Sequence, residues 1–230
     1  MKELYIGLMS GTSADGVDAV LMAIAPQKIS LIANHSITFT KDLKAKIIEL
    51  FEPSNNEIDR LGELDRELAY EYAHCVNQLL TKSQYQANQI TAIGCHGQTI
   101  RHRPNFPTPF TFQIGDASLL AQRTGIDVIS DFRKADINQG GQGAPLAPAF
   151  HKALFKHPRH ECFIINIGGI ANITHLPLNG HVTGWDIGPG NGLMDSWINK
   201  YNGKPYDHNG KWAASGSINQ KLLSRLLSHS

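Results

Sequence analysis

The chain has 230 residues, of which 41% are hydrophobic and 18% charged, so wholesale disorder is excluded and there is material for one large domain or two smaller ones. Lys plus Arg number 21 and Asp plus Glu 20; a formal net charge of +1 supplies no global field for drawing in nucleic acid or an anionic membrane. Cys75, Cys95 and Cys162 are too few and too scattered for a disulfide framework and read as free thiols in a reducing compartment.

The first 37 residues read as three strands, Leu4–Met9, Val17–Ile24 and Ile29–Ile37, with a Gly/Ser/Thr/Asp turn in the first connection and Ala25-Pro26-Gln27 in the second. The run Leu4–Met9 lacks the long apolar stretch of a signal peptide, so none is expected. From Asp42 to Tyr85 the period changes to helical: Leu43, Ile47 and Leu50 mark one helix, and Leu61, Leu64, Leu68, Tyr72, Val76, Leu79 and Leu80 a longer one. A short strand Ile90–Gly94, a strand Phe110–Ile114, a helix Ala117–Arg123 and a strand Ile126–Ser130 follow. The breakers of INQGGQGAPLAPAF (137 to 150) place a domain boundary, giving domains 1–145 and 146–230, with a helix over Pro148–Phe155. Strands Cys162–Ile167, Ala171–Leu176 and His181–Ile187 then lead to helices Gly192–Asn199 and Asn219–Leu227. Residues 162 to 185 lack Asp, Glu, Lys and Arg, but Asn166, Asn172, His175, Pro177 and Asn179 disqualify them as a bilayer helix, so a soluble, cytoplasmic protein is expected.

The two halves rhyme in element order: strand, glycine-rich turn, strand, strand, helix. Roughly 70 residues follow Glu161 where a domain needs about 100–150, and Leu222, Leu223, Leu226 and Leu227 share one helix face, so the second half is read as truncated.

Several strings carry candidate chemistry. Gly11-Thr12-Ser13-Ala14-Asp15-Gly16-Val17-Asp18 joins two strands and is either an ordinary tight hairpin or a phosphate-binding one, with Asp15 or Asp18 able to hold Mg²⁺ through water. Asn166-Ile167-Gly168-Gly169-Ile170-Ala171-Asn172 is the matching hairpin of the second half, and two such hairpins in corresponding places favour the phosphate reading. Gly94-Cys95-His96-Gly97-Gln98-Thr99-Ile100-Arg101-His102 follows a strand, where α/β folds place ligands. His96 and His102 are candidate hydrogen-bond donors or ligands, or satisfied histidines of a polar loop; no partner spacing supports a metal there. Asp131-Phe132-Arg133-Lys134-Ala135-Asp136 is either a substrate edge, with Arg133 facing a carboxylate, or a surface ion-pair cluster. In Gly184-Trp185-Asp186-Ile187-Gly188-Pro189-Gly190-Asn191, Asp186 ends an otherwise uncharged strand and is expected to be paired or used, a capping role being the alternative. Gly188 and Gly190 are expected to leave room for a ligand, and the following helix N-terminus to face an anion.

Taken in order, LMSGTSADGVD (8 to 18), GCHGQTIRH (94 to 102), QIGDASLLAQRTGIDVISDFR (113 to 133), GGQGAPLAPAFH (140 to 151), NIGGIANIT (166 to 174) and GWDIGPGNGLMD (184 to 195) resemble the anhydro-N-acetylmuramic acid kinase family, sugar kinases of the actin/Hsp70/hexokinase superfamily. The resemblance implies an α/β fold with a ribonuclease-H-like domain duplicated, the second copy incomplete in this chain. It implies ATP and Mg²⁺ as cofactors, with Gly11, Thr12, Ser13, Ala14, Asp15, Gly16, Val17 and Asp18 as the first phosphate hairpin and Gly168, Gly169 and Asn172 in the second. Asp15 and Asp18 would hold the metal through water. His96, Gln98, Thr99, Asp131, Arg133 and Asp136 are the substrate-binding candidates and Asp186 the general base. The implied reaction opens 1,6-anhydro-N-acetylmuramic acid with water and phosphorylates O6, within peptidoglycan recycling; the partners are that small molecule and a homodimer as a candidate assembly, with neither nucleic acid nor membrane. Family members are longer and carry a glycine-rich adenosine segment and a further acidic residue in their C-terminal part, which this chain does not contain. An inactive fragment that binds only the sugar, and another sugar or acyl-phosphate kinase of the superfamily, are the alternatives.

Overall fold

The structure, a computed structural model, describes residues 3–26 and 28–228, so Gln27 of the expected Ala25-Pro26-Gln27 turn lies outside the described residues. The chain divides into two compact units, Met1–Leu146 and Ala147–Ser230.

The first unit opens with β1 (Glu3–Ser10), β2 (Gly16–Ala25) and β3 (Lys28–Thr38), an antiparallel meander. Alternation sends Ile6 and Leu8, and Val17, Ala19, Leu21 and Ala23, to one face, where they are buried. That face is covered by α1 (Lys41–Glu49), capped by the Thr40 hydroxyl, and α2 (Glu57–Ser83), whose Leu64, Leu68, Tyr72, Val76 and Leu79 form a continuous apolar stripe. The helical crossover returns the chain to β4 (Ala92–Arg103), parallel to β1. Then come β5 (Phe110–Ile114), α3 (Ala117–Thr124), β6 (Val128–Ile129) and α4 (Phe132–Asn138). The sheet order is β3-β2-β1-β4-β5, with β6 also paired to β4. Three antiparallel strands followed by the parallel strands β4 and β6, each reached through helices, are the expected ribonuclease-H-like α/β pattern, to which β5 adds an antiparallel strand beside β4.

One boundary differs from expectation. The strand expected to stop at Gly94 runs on to Arg103, because β4 changes partners midway: Ile93 and Gly94 lie between β1 and β6, and Gln98 to Arg103 pair with β5. The 94-to-102 string is therefore strand, not a loop after one.

The second unit begins with α5 (Ala147–Phe155), then β7 (Cys162–Ile167), β8 (Ile170–Leu176) and β9 (Thr183–Pro189), antiparallel in the order β7-β8-β9. This repeats the pairing of β1-β2-β3. Next come α6 (Gly192–Asn202), α7 (Lys211–Ala214) and α8 (Gln220–Leu227). Leu222, Leu223, Leu226 and Leu227 on α8, and Phe163, Ile165, Ile167, Trp185 and Ile187 on the sheet, are exposed. Among the described residues no helix is long and apolar enough to cross a membrane.

Candidate active site

In the first unit the expected hairpin is the β1–β2 turn. It closes on one backbone bond, Ala14 N–H to Gly11 O at 3.1 Å, with Ala14 in the left-handed region at φ 52°. Thr12 and Ser13 form the exposed tip, and among the described residues their amide N–H groups have no partner. Ala14 and Val17 instead point into the core, so they can meet a ligand only through backbone. The glycines differ in kind. A Cβ on Gly11 would meet nothing within 4 Å, whereas one on Gly16 would collide with the Ile37 carbonyl of β3. Gly11 is open space beside the turn; Gly16 is a packing glycine.

Neither acidic residue stands bare. Asp15 pairs with Lys44 of α1, and the ammonium holds its carboxyl below the usual carboxylate range. Asp18 accepts the Ser36 hydroxyl of β3 at 2.5 Å. Among the described residues no group of three or more His, Cys, Asp or Glu gathers as a metal site.

The substrate candidates separate into two sets. A cavity of about 240 Å³ is lined by His96 and Asp131 together with Asp65, Gln113, Asp116 and Lys134. Thr99 is linked to it through Gln113, whose Nε2 donates to Thr99 Oγ1 at 3.3 Å. His96 Nδ1 lies 2.7 Å from the Gly97 carbonyl and must carry the proton, leaving Nε2 to accept from Arg133 Nε–H at 2.8 Å. Both ring nitrogens are committed, so His96 orients Arg133 rather than offering a free nitrogen to a ligand, and burial holds its pKa below the ordinary histidine value. Arg133 also donates Nη1–H to Gly143 O at 2.7 Å, and among the described residues its remaining N–H groups have no partner. Asp131 opens α4 from a left-handed conformation, φ 60°, and pairs with Lys134 at 2.8 Å.

Gln98 and Asp136 do not fit the role expected of them. Gln98 has no solvent exposure; its amide is engaged by Ser10, Gly11 and the Thr99 carbonyl, next to Gly97 at φ 74°. Asp136 accepts Gly143 N–H at 2.7 Å, so with Arg133, one helical turn away, it grips both polar groups of a glycine held at φ 73°. Both are internal struts. Sequence reading did not single out Asp65, Gln113 or Asp116; Lys134 stood only within the Asp131–Asp136 string. His102, the other histidine candidate, has Nδ1 at 3.1 Å from Thr111 Oγ1. Cys75 and Cys95 are buried and their thiols pushed up to about 11, which makes them inert.

In the second unit the Gly168-Gly169 turn joins β7 and β8 and is strapped to the segment after β9. Asn191 N–H and Gly190 N–H donate to Gly168 O at 2.7 Å and Gly169 O at 3.0 Å. A Cβ on Gly190 would collide with Gly168 O, so the space expected there for a ligand is filled by the hairpin itself; Gly188, at φ 138°, is open. Asn166, Asn172 and Asp186 pair in one row across β7, β8 and β9 beside the turn. Asp186 is exposed, so it pays no desolvation penalty, and among the described residues it neither caps a helix nor forms an ion pair. The cost argument for its use fails, and its place beside the hairpin is what remains in its favour.

The family model for anhydro-N-acetylmuramic acid kinase matches residues 3–230. The chain belongs to that family. The resemblance drawn from its strings is thereby borne out. Anhydro-N-acetylmuramic acid kinases of Shewanella pealeana and Saccharophagus degradans are 54% and 51% identical to it over 226 and 229 residues, in each case 98% of this chain. That of Shewanella loihica is 52% identical over 230 residues. The chain spans about three fifths of these relatives, 61% to 62% of their length.

Proposed function

We propose that the chain serves an ATP-dependent kinase that opens 1,6-anhydro-N-acetylmuramic acid with water and phosphorylates O6, giving N-acetylmuramate 6-phosphate in peptidoglycan recycling. The observation that carries this reading is the family match over residues 3–230. Water oxygen bonds to the anomeric carbon as the bond from that carbon to O6 breaks. O6 then bonds to the γ-phosphorus of ATP and ADP leaves. The water proton passes to the carboxylate of Asp186, the general base in this reading.

The geometry of the first hairpin supports the nucleotide side. The exposed Thr12 and Ser13 amides suit phosphate oxygens, and the open space at Gly11 allows a phosphate close to the backbone. Gly168 and Gly169 form the second phosphate turn. Asp18, exposed and bonded by one hydroxyl, suits a water-mediated contact to Mg²⁺, which would neutralise phosphate charge; Asp15 would join it only by leaving Lys44. On the sugar side, Asp131 lines the cavity, Thr99 is bonded to its Gln113 and Arg133 to its His96, and the guanidinium suits the carboxylate of the muramic acid lactyl group.

The test is turnover of the anhydro-sugar with ATP and Mg²⁺, read by product mass. The expected product gains one water and one phosphoryl group. A phosphorylated product without the water would assign another sugar-kinase reaction. Sugar binding with no nucleotide binding would make the chain a sugar-binding module.

A further inference from the structure

We propose that Gln98 is a positioning residue that aims the β1–β2 hairpin from strand β4. Ser10 and Gln98 are the last parallel pair of β1 and β4, beyond a register shift between Leu8 and Ser10. Past this pair the sheet forks: β1 enters the hairpin, and β4 leaves to pair with β5, Gln98 facing Ile114. The Gln98 amide fills the fork. Its Oε1 accepts the Ser10 hydroxyl at 2.6 Å, and its Nε2 donates to Gly11 O at 3.2 Å. Gln98 is 0% and Ser10 2% exposed, so no water substitutes for these bonds.

The consequence lies in one peptide plane. Gly11 C=O and Thr12 N–H belong to the same trans peptide and point in opposite directions. Gly11 O receives both Gln98 Nε2–H and Ala14 N–H, which draws the carbonyl inward. Thr12 N–H is thereby turned outward at the exposed tip. The same residue sits between Gly97 and Thr99, so the hairpin is set directly from the strand that borders the cavity. The placement of the hairpin stands on this geometry alone; its effect on nucleotide rests on the kinase reading.

Gln98→Met keeps length and bulk and removes the bonds to Ser10 and Gly11, together with a longer one from Nε2 to Thr99 O at 3.4 Å. Amide hydrogen exchange of the ligand-free chain should show Ala14 losing about tenfold or more of its protection, as expected for a lost bond worth about 1.4 kcal/mol, while Ile93 and Cys95 of the same strand keep theirs. ATP affinity should fall by a similar factor, with affinity for the anhydro-sugar unchanged. Unchanged Ala14 exchange in the folded variant would overturn the proposal. If Gln98→Met does not fold, Ser10→Ala decides: a partial loss at Ala14 supports the strut and no change overturns it. A faster Ala14 in a chain that binds no ATP even as wild type would support the strut and sink the kinase reading instead.

Discussion

Arg133 donates its Nε–H to Nε2 of His96 at 2.8 Å, and this bond requires His96 to be neutral. Burial, with the nearby guanidinium adding to it, lowers the histidine pKa in the fold. The unfolded chain takes up a proton near the ordinary value of about 6.5, so the stabilisation is complete above that pH and is lost as pH falls toward the folded pKa. Urea midpoints should decline between about pH 7.5 and 5.5. His96→Asn should flatten that decline without abolishing it, because burial lowers the pKa of His102 in the same direction. An unaltered slope in the variant would refute the assignment to His96.

The two hairpin glycines should respond oppositely. Gly16→Ala forces a Cβ into the Ile37 carbonyl and should cost about 1–3 kcal/mol in denaturant unfolding. Gly11→Ala enters open space, so stability should stay within about 0.5 kcal/mol while ATP affinity falls. Equal effects of the two on unfolding would contradict the distinction.

Asp136→Ala removes the acceptor of the buried Gly143 N–H, a loss of about 1–3 kcal/mol. Limited proteolysis should then cut between Gln139 and Gly143 faster than in the parent. A variant as resistant and as stable as the parent would show that the strut is idle.

Asp186→Asn alters an exposed side chain and should leave the unfolding midpoint within about 0.5 kcal/mol of the parent. As the general base, its loss should lower kcat by about 10²–10⁴-fold with substrate affinities near normal. Retained kcat would move the role elsewhere, with Asp131 next in line because it lines the cavity.

Much of this was legible before the structure. The meander β1-β2-β3 and its repeat β7-β8-β9 announced themselves by alternation around glycine turns, and α2 by a long period-3.6 stripe. The failures have physical causes. The strand expected to stop at Gly94 runs on because β4 exchanges β1 and β6 for β5 around the bend at Gly97, a change of partner that no local pattern encodes. The helix α4 has seven residues, too few to show a period, and starts from a left-handed Asp131 with no capping bond. Gln98 reads as ligand-facing because polarity is visible in a sequence and burial is not, and Asp136 because its bond to Gly143 N–H depends on a loop path that no local pattern encodes. Asp65 reaches the cavity from a distant helix, a juxtaposition that no local pattern encodes.

The central claim is that water opens the bridge and the freed O6 takes the phosphoryl group. Turnover in ¹⁸O-enriched water tests it most directly. The account predicts a 6-phosphorylated sugar with one heavy oxygen at the anomeric carbon and none between C6 and phosphorus. A phosphorylated sugar with an unlabelled anomeric oxygen, or with the label between C6 and phosphorus, would contradict it.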